Sequence, residues 1–174
     1  MSITTGRGDD GQTDLLFGKT APKDSPRIEA VGAVDELNAA LGLARVQCAC
    51  AARLAVIDRV QEKLVGLMGE LATLPEDMGR YREKGFPMIT SDDVAWVTAE
   101  SQAREAAGVR FTGWARPGAE GSAEKAALDY ARTVARRAER SVLSLDSAEG
   151  GVPLEVKLFL NRISDLCWVM ARSD

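Results

Sequence analysis

Four long stretches of this chain repeat their apolar residues at intervals of three and four, a spacing that confines it to a helical bundle. Ile28, Val31, Val34, Leu37, Leu41 and Ala44 form the first series, and Leu54, Ile57, Val60, Leu64, Leu67 and Leu71 the second. Ala127, Tyr130, Val134, Ala138 and Leu145 form the third, and Val156, Leu160, Ile163, Cys167 and Met170 the fourth. Helices are therefore predicted over about residues 27–46, 51–73, 122–145 and 153–172. A shorter one, with Val94 and Val97 inward, runs from a cap at Thr90 or Ser91 to Gly108. Ser25 ahead of Pro26 reads as an N-cap and first helical position, and Asp92 and Asp93 suit the positive end of the shorter helix. Residues 74–90, with Pro75, Gly79, Gly85 and Pro87, read as a connection, and 146–152 as a turn. The expected fold is all-α: a five-helix up-and-down bundle, a four-helix core plus a shorter helix. Its 174 residues fit one domain, with 1–24 an irregular N-terminal loop and 25–174 the bundle.

What the chain lacks narrows its chemistry. It has no histidine. That removes histidine bases, Ser-His-Asp triads, imidazole zinc sites and the Glu-x-x-His di-iron bundles that a helical protein would otherwise suggest. A net charge of −4 leaves no basic footprint for nucleic acid. No apolar run approaches the roughly 20 residues of a membrane span, and Met1 to Gly11 is too polar for a signal peptide. Cys48, Cys50 and Cys167 have no framework spacing, which points to a reducing, cytoplasmic setting.

Several segments carry possible chemistry. Arg132, Arg136 and Arg140 stand one turn apart on one helix, and like charges at that spacing repel by roughly 0.2–0.5 kcal/mol per pair. They form either a solvated face with Asp129 and Glu139 as local partners, or a cradle for something anionic such as a polyphosphate or a neighbour's carboxylates. Gly6, Gly8, Gly11 and Gly18 let backbone amides approach a ligand, and Thr5, Thr13, Lys19 and Lys23 add donors. Asp9 and Asp10 suit a hydrated magnesium ion travelling with phosphates; by composition alone the same stretch is equally a loose arm. Asp35 is either a partly buried acid needing a cation or a solvated one. Trp114, on a Gly-Pro loop, is either a packed plug or a platform for a ligand. Asn161 and Asp165 flank Arg162 and can form a network with the arginine helix or a ligand site.

Taken in order, Gly8-Asp-Asp-Gly-Gln-Thr13, Lys23-Asp-Ser-Pro-Arg27, Val34-Asp-Glu-Leu-Asn38, Arg132-Thr-Val-Ala-Arg-Arg-Ala-Glu-Arg140 and Leu160-Asn-Arg-Ile-Ser-Asp165 resemble the PduO-type ATP:cob(I)alamin adenosyltransferases over nearly the whole chain. The resemblance implies a ferritin-like, cobalamin adenosyltransferase-like bundle that assembles as a homotrimer with active sites at subunit interfaces. ATP, accompanied by Mg2+, would be held by the N-terminal loop of one subunit and the arginine helix of its neighbour. The implied reaction transfers the 5′-deoxyadenosyl group of ATP to the cobalt of cob(I)alamin and releases tripolyphosphate. A reductase that supplies the electron and a downstream adenosylcobalamin-dependent enzyme are the implied partners.

Residue by residue, Arg136, Glu139 and Asn161 match the family's ATP-contacting positions. Arg140, Lys23, Thr5 and the Gly8, Asp9, Gly11 and Thr13 loop are placed on the phosphates. Asp35 is expected to pair with Arg132 across the site. Trp114, ahead of Pro117 and Gly118, matches an aromatic that displaces the lower axial ligand of cobalamin. Cob(I)alamin is itself a strong nucleophile, which agrees with a histidine-free chain. Four departures stand out: Thr5-Gly6-Arg7 where the family has Thr-Arg-Thr, tryptophan in place of phenylalanine, a loop from Pro117 to Arg132 about two residues longer, and an end at Asp174 where many members carry a tail. The altered N-terminal loop and the early end keep open a second reading, a carrier or sensor of adenosylcobalamin or nucleotide without turnover.

Overall fold

Ser25 starts the first long helix as its sequence predicts: its side-chain oxygen accepts the Ile28 amide at 3.4 Å, with Pro26 in the first turn. A cap of this kind contributes about 1 kcal/mol. The computed structural model describes residues 4, 6, 8–110 and 112–173. Its helices are α1 (Pro26–Arg45), α2 (Ala51–Leu71), α3 (Met78–Glu83), α4 (Ser91–Ala106), α5 (Ala123–Glu149) and α6 (Leu154–Met170). Two short strands, β1 (Gln12–Asp14) and β2 (Thr20–Pro22), pair antiparallel ahead of them, with Thr13 opposite Ala21. α4 opens on a capping box, in which Thr90 and Asp93 exchange side-chain bonds for each other's amides. Lys63 of α2 reaches the same Asp93 at 2.8 Å. Burial alone would raise the Asp93 pKa; the bonds from Lys63 and Thr90 outweigh it and hold the carboxyl below its ordinary value.

The five long helices form the bundle, and α3 is an addition within the stretch read as a connection. α1 packs on α2 and α5, α5 on α6, and α6 on α4. Arg27 meets Glu149 while Glu36 meets Arg137, so α1 and α5 run antiparallel. Asn161 meets Glu139 while Arg172 meets Asp129, so α5 and α6 do too. The core between them is aliphatic, built around Leu37, Leu41, Ile57, Leu64, Leu128, Leu145, Phe159 and Ile163. Tyr130, assigned to the apolar stripe from its spacing, is instead 48% exposed; the buried stripe of α5 runs through Leu128, Ala131, Ala135 and Val142.

Buried arginines tie each end of the bundle. At one end Arg27 donates to the Leu71 and Thr73 carbonyls at 2.7 and 3.0 Å, and to Glu149. These bonds satisfy carbonyls that the end of α2 would otherwise leave without donors. At the other end Arg53 joins Glu124 at 2.6 Å to the Ser173 carbonyl at 2.9 Å. Among the described residues no helix is long and apolar enough to cross a membrane.

Candidate active site

The N-terminal segment is a built loop. Its hairpin docks on the Arg27 end of the bundle, where the Leu16 amide donates to the Ala72 carbonyl at 3.2 Å and Leu15 and Ala21 are buried. Ahead of it the chain doubles back on itself: the Gly11 amide donates to Gly8 O, the Lys23 amide to Gly11 O, and the Gln12 amide to Asp10 Oδ1. Gly8 has φ +84°, and a Cβ placed there would sit 2.6 Å from Gln12 O and 3.1 Å from Lys23 Nζ. Glycine is therefore what lets the Lys23 ammonium lie across the loop. Gly8, Asp9, Asp10, Gln12 and Thr13 line an open hollow of about 590 Å³ here. Thr5, expected on the phosphates, and Arg7, part of the departure from the family's Thr-Arg-Thr, lie outside the described residues.

On α5 the arginines divide into two kinds. Arg132 is half-buried and stands 3.5 Å from Asp129, and Arg137 is paired with Glu36. Arg136 and Arg140 are exposed, with neither an ion pair nor a hydrogen bond among the described residues. Beside them Asn161 Nδ2 donates to Glu139 Oε1 at 3.1 Å. Asn161 Oδ1 accepts from Arg162, which also lies 3.7 Å from Asp165. The structure thus joins the expected Glu139 and Asn161. It does not join Asp35 to Arg132 within the chain. Asp35 lies on the exposed face of α1, and Arg132 turns toward the acid one turn before it on its own helix.

Trp114 is 90% exposed, which rules out the packed plug. Its loop arches over a cavity of about 340 Å³ floored by Lys125, Asp129, Trp168 and Arg172. Arg172 holds Asp129 with both terminal nitrogens at 3.1 Å and lies over the Trp168 ring. From its spacing Asp129 reads only as a local partner of the stripe. Its bridge to Arg172 comes from the antiparallel pairing of α5 and α6, which spacing does not reveal. Burial pushes the nearby Cys167 thiol up to about 12, so it fills the core as an inert group. No group of three or more Cys, Asp or Glu side chains able to hold a metal ion occurs among the described residues.

The sequence model of a family described as cobalamin adenosyltransferase matches residues 3–173. The corrinoid adenosyltransferase PduO of Salmonella typhimurium is 34% identical over 181 residues, covering 100% of this chain and 50% of that protein. The corrinoid adenosyltransferase of Bacillus subtilis is 33% identical over 172 residues, covering 99% of this chain and 86% of that one. A variant of the PduO-type ATP:corrinoid adenosyltransferase from Lactobacillus reuteri, solved in complex with cobalamin and ATP, superposes with a TM-score of 0.87 at 28% identity. That match covers 98% of this chain and 92% of the other. The chain spans about half the length of the PduO relatives it matches.

Proposed function

The chain belongs to the cobalamin adenosyltransferase family, and from that premise we propose that it transfers the 5′-deoxyadenosyl group of ATP to the cobalt of cob(I)alamin, releasing tripolyphosphate. The observation that carries this reading is the bare pair Arg136 and Arg140. Four arginines lie between 132 and 140, and the two without partners, Arg136 and Arg140, are exposed and stand one turn apart. Cations whose charge is not spent on a partner within the chain are available to stabilise a leaving triphosphate. Lys23 and the amides of the 8–13 loop add donors from a second direction. The Glu139–Asn161 pair offers a fixed acceptor and amide for the nucleoside, a positioning task.

Magnesium would arrive on the ATP phosphates and offset their charge. Asp9 and Asp10, which line the hollow, suit its water shell. Trp114, exposed on its loop, is free to press against the lower face of a corrinoid. The N-terminal loop rests on the ends of α2 and α3, whereas Arg136 and Arg140 lie midway along α5. This separation supports sites assembled from two copies in a homotrimer, with Asp35 reaching a neighbour's Arg132. The same reading places the protein in the cytoplasm, between a corrinoid reductase and an adenosylcobalamin-dependent enzyme.

The test is anaerobic conversion of chemically reduced cob(I)alamin with ATP and magnesium, followed by absorbance as the light-sensitive alkylcobalamin forms. Wild-type protein converts it only with ATP. Arg136→Ala loses on the order of 10²–10³ in turnover while keeping its helical content. Near-normal turnover in that variant excludes Arg136 from the triphosphate. No conversion by wild type, with ATP or adenosylcobalamin still bound tightly, establishes the carrier reading instead.

A further inference from the structure

The turn at the tip of the N-terminal hairpin is built against local preference. Phe17 has φ 59° and ψ 27°, and Gly18 follows with φ 75°. These two successive positive-φ residues reverse the chain within the 15–19 connection between β1 and β2. Gly18 adopts that conformation freely. In Phe17 the Cβ crowds the backbone carbonyl, and a bulky side chain there is a genuine outlier. Among the described residues Phe17 is the one non-glycine with positive φ.

Its ring is held. Phe17 stacks on Phe86 with centroids 6.3 Å apart and planes 21° from parallel, and the Arg80 guanidinium lies 4.4 Å from its centre. Phe86 in turn meets Tyr81 edge to face at 5.1 Å. Tyr81 is buried against α2, its hydroxyl donating to Pro87 O at 2.8 Å. A continuous path of contacts therefore runs from the hairpin tip to the core. Strands of three residues do not hold a hairpin on their own, so this docking is what gives the loop ahead of them an orientation.

We propose that Phe17 is a positioning residue. Its ring clamps the hairpin to α3, and backbone strain is accepted so that Gly8 to Thr13 and Lys23 face one fixed direction. The last link, that a triphosphate is what they face, rests on the function proposed above.

The test uses the whole protein and two variants. Phe17→Gly keeps the turn, relieves its strain and removes the ring. Phe86→Ala removes the ring's platform and leaves the turn strained. Hydrogen exchange without nucleotide reads the Gly11 and Lys23 amides, which the folded loop protects through their bonds to Gly8 O and Gly11 O. In both variants these amides exchange about tenfold faster, and the Kd for ATP rises about tenfold as the competent fraction falls. Turnover at saturating ATP stays near wild type, and the melting temperature of Phe17→Gly does not fall.

A Phe17→Gly protein with equally protected amides and unchanged ATP affinity overturns the proposal. So does a Phe17→Gly protein that loses affinity and melting temperature together while Phe86→Ala loses neither, because the ring is then ordinary packing. Wild type that fails to bind ATP, with the amides still exchanging faster in Phe17→Gly, sinks the nucleotide reading and leaves the clamp standing.

Discussion

Arg27→Met is expected to destabilise the protein by about 3 kcal/mol. The guanidinium is buried and donates to three acceptors: Leu71 O at 2.7 Å, Thr73 O at 3.0 Å and Glu149 Oε2 at 2.7 and 3.1 Å. Each carbonyl that loses its donor costs about 1 kcal/mol net. Breaking a fully buried ion pair costs about 3–5 kcal/mol. Glu149, however, keeps a third of its side chain in water and rehydrates when the arginine goes, so about 1 kcal/mol is assigned to it. Methionine retains much of the arginine's apolar stem, which keeps the packing loss small. In a chain of this size the sum lowers the melting temperature by about 6–12 °C. Urea unfolding at neutral pH measures it directly, provided the slope with denaturant is unchanged. Glu149→Gln is the control: it leaves both carbonyl bonds in place and costs about 1 kcal/mol. A loss below about 1 kcal/mol in Arg27→Met would refute the view that one buried guanidinium closes the end of α2. The variant also loosens the platform that receives the Leu16 amide through Ala72 O. Faster exchange of that amide should accompany the loss of stability.

Trp114→Ala should slow reaction from cob(II)alamin more than from chemically reduced cob(I)alamin; equal losses with both would remove the tryptophan from any role in displacing the axial ligand. Glu70 supplies a pH test. Burial raises its pKa despite the bond from the Ile89 amide, and Oε1 has no protein partner. The native state therefore holds this proton to higher pH than the unfolded chain does. Stability falls as pH rises through the window between the two pKa values and stays lower above it. Glu70→Gln should raise the urea midpoint relative to wild type at about pH 7 and gain little at about pH 4; an equal gain at both would show that ionisation is not the cause.

The elements that were legible in the sequence carry their own instructions. α1 and α4 begin at caps whose partners lie three residues away, and the family resemblance rests on motifs held in order along the chain. The elements that were missed depend on partners far off in sequence. The polar run Asp146–Glu149 reads as a turn, yet it extends α5 because distant groups hold it: Asp146 takes the Val152 amide and the Lys157 ammonium, and Glu149 takes Arg27. α3 has no side-chain cap. It is secured by Tyr81, which lies so close to α2 that a Cβ on Gly69 would come within 3.0 Å of its hydroxyl. The hairpin was missed because its turn uses Phe-Gly, whereas the usual signal for such a turn is Asn-Gly or Asp-Gly.

The arginines make the same point about the site. Arg27, Arg53, Arg132, Arg136, Arg137 and Arg140 are all helical and all chemically alike, and nothing local in the sequence separates those that hold the fold from those left to hold a ligand. Partners separate them. Arg27 and Arg53 are buried and spent on carbonyls and carboxylates, Arg137 is paired with Glu36, and Arg132 faces Asp129. Arg136 and Arg140 alone in this set remain free, beside the Glu139–Asn161 pair. Removing a spent arginine should register in stability, as argued for Arg27. Removing a free one should leave stability within about 0.5 kcal/mol and register only in turnover. If Arg136→Ala were to unfold as readily as Arg27→Met, its side chain would have a structural partner that the chain alone does not contain. A second subunit supplying a carboxylate would then account for the arginine better than a triphosphate does.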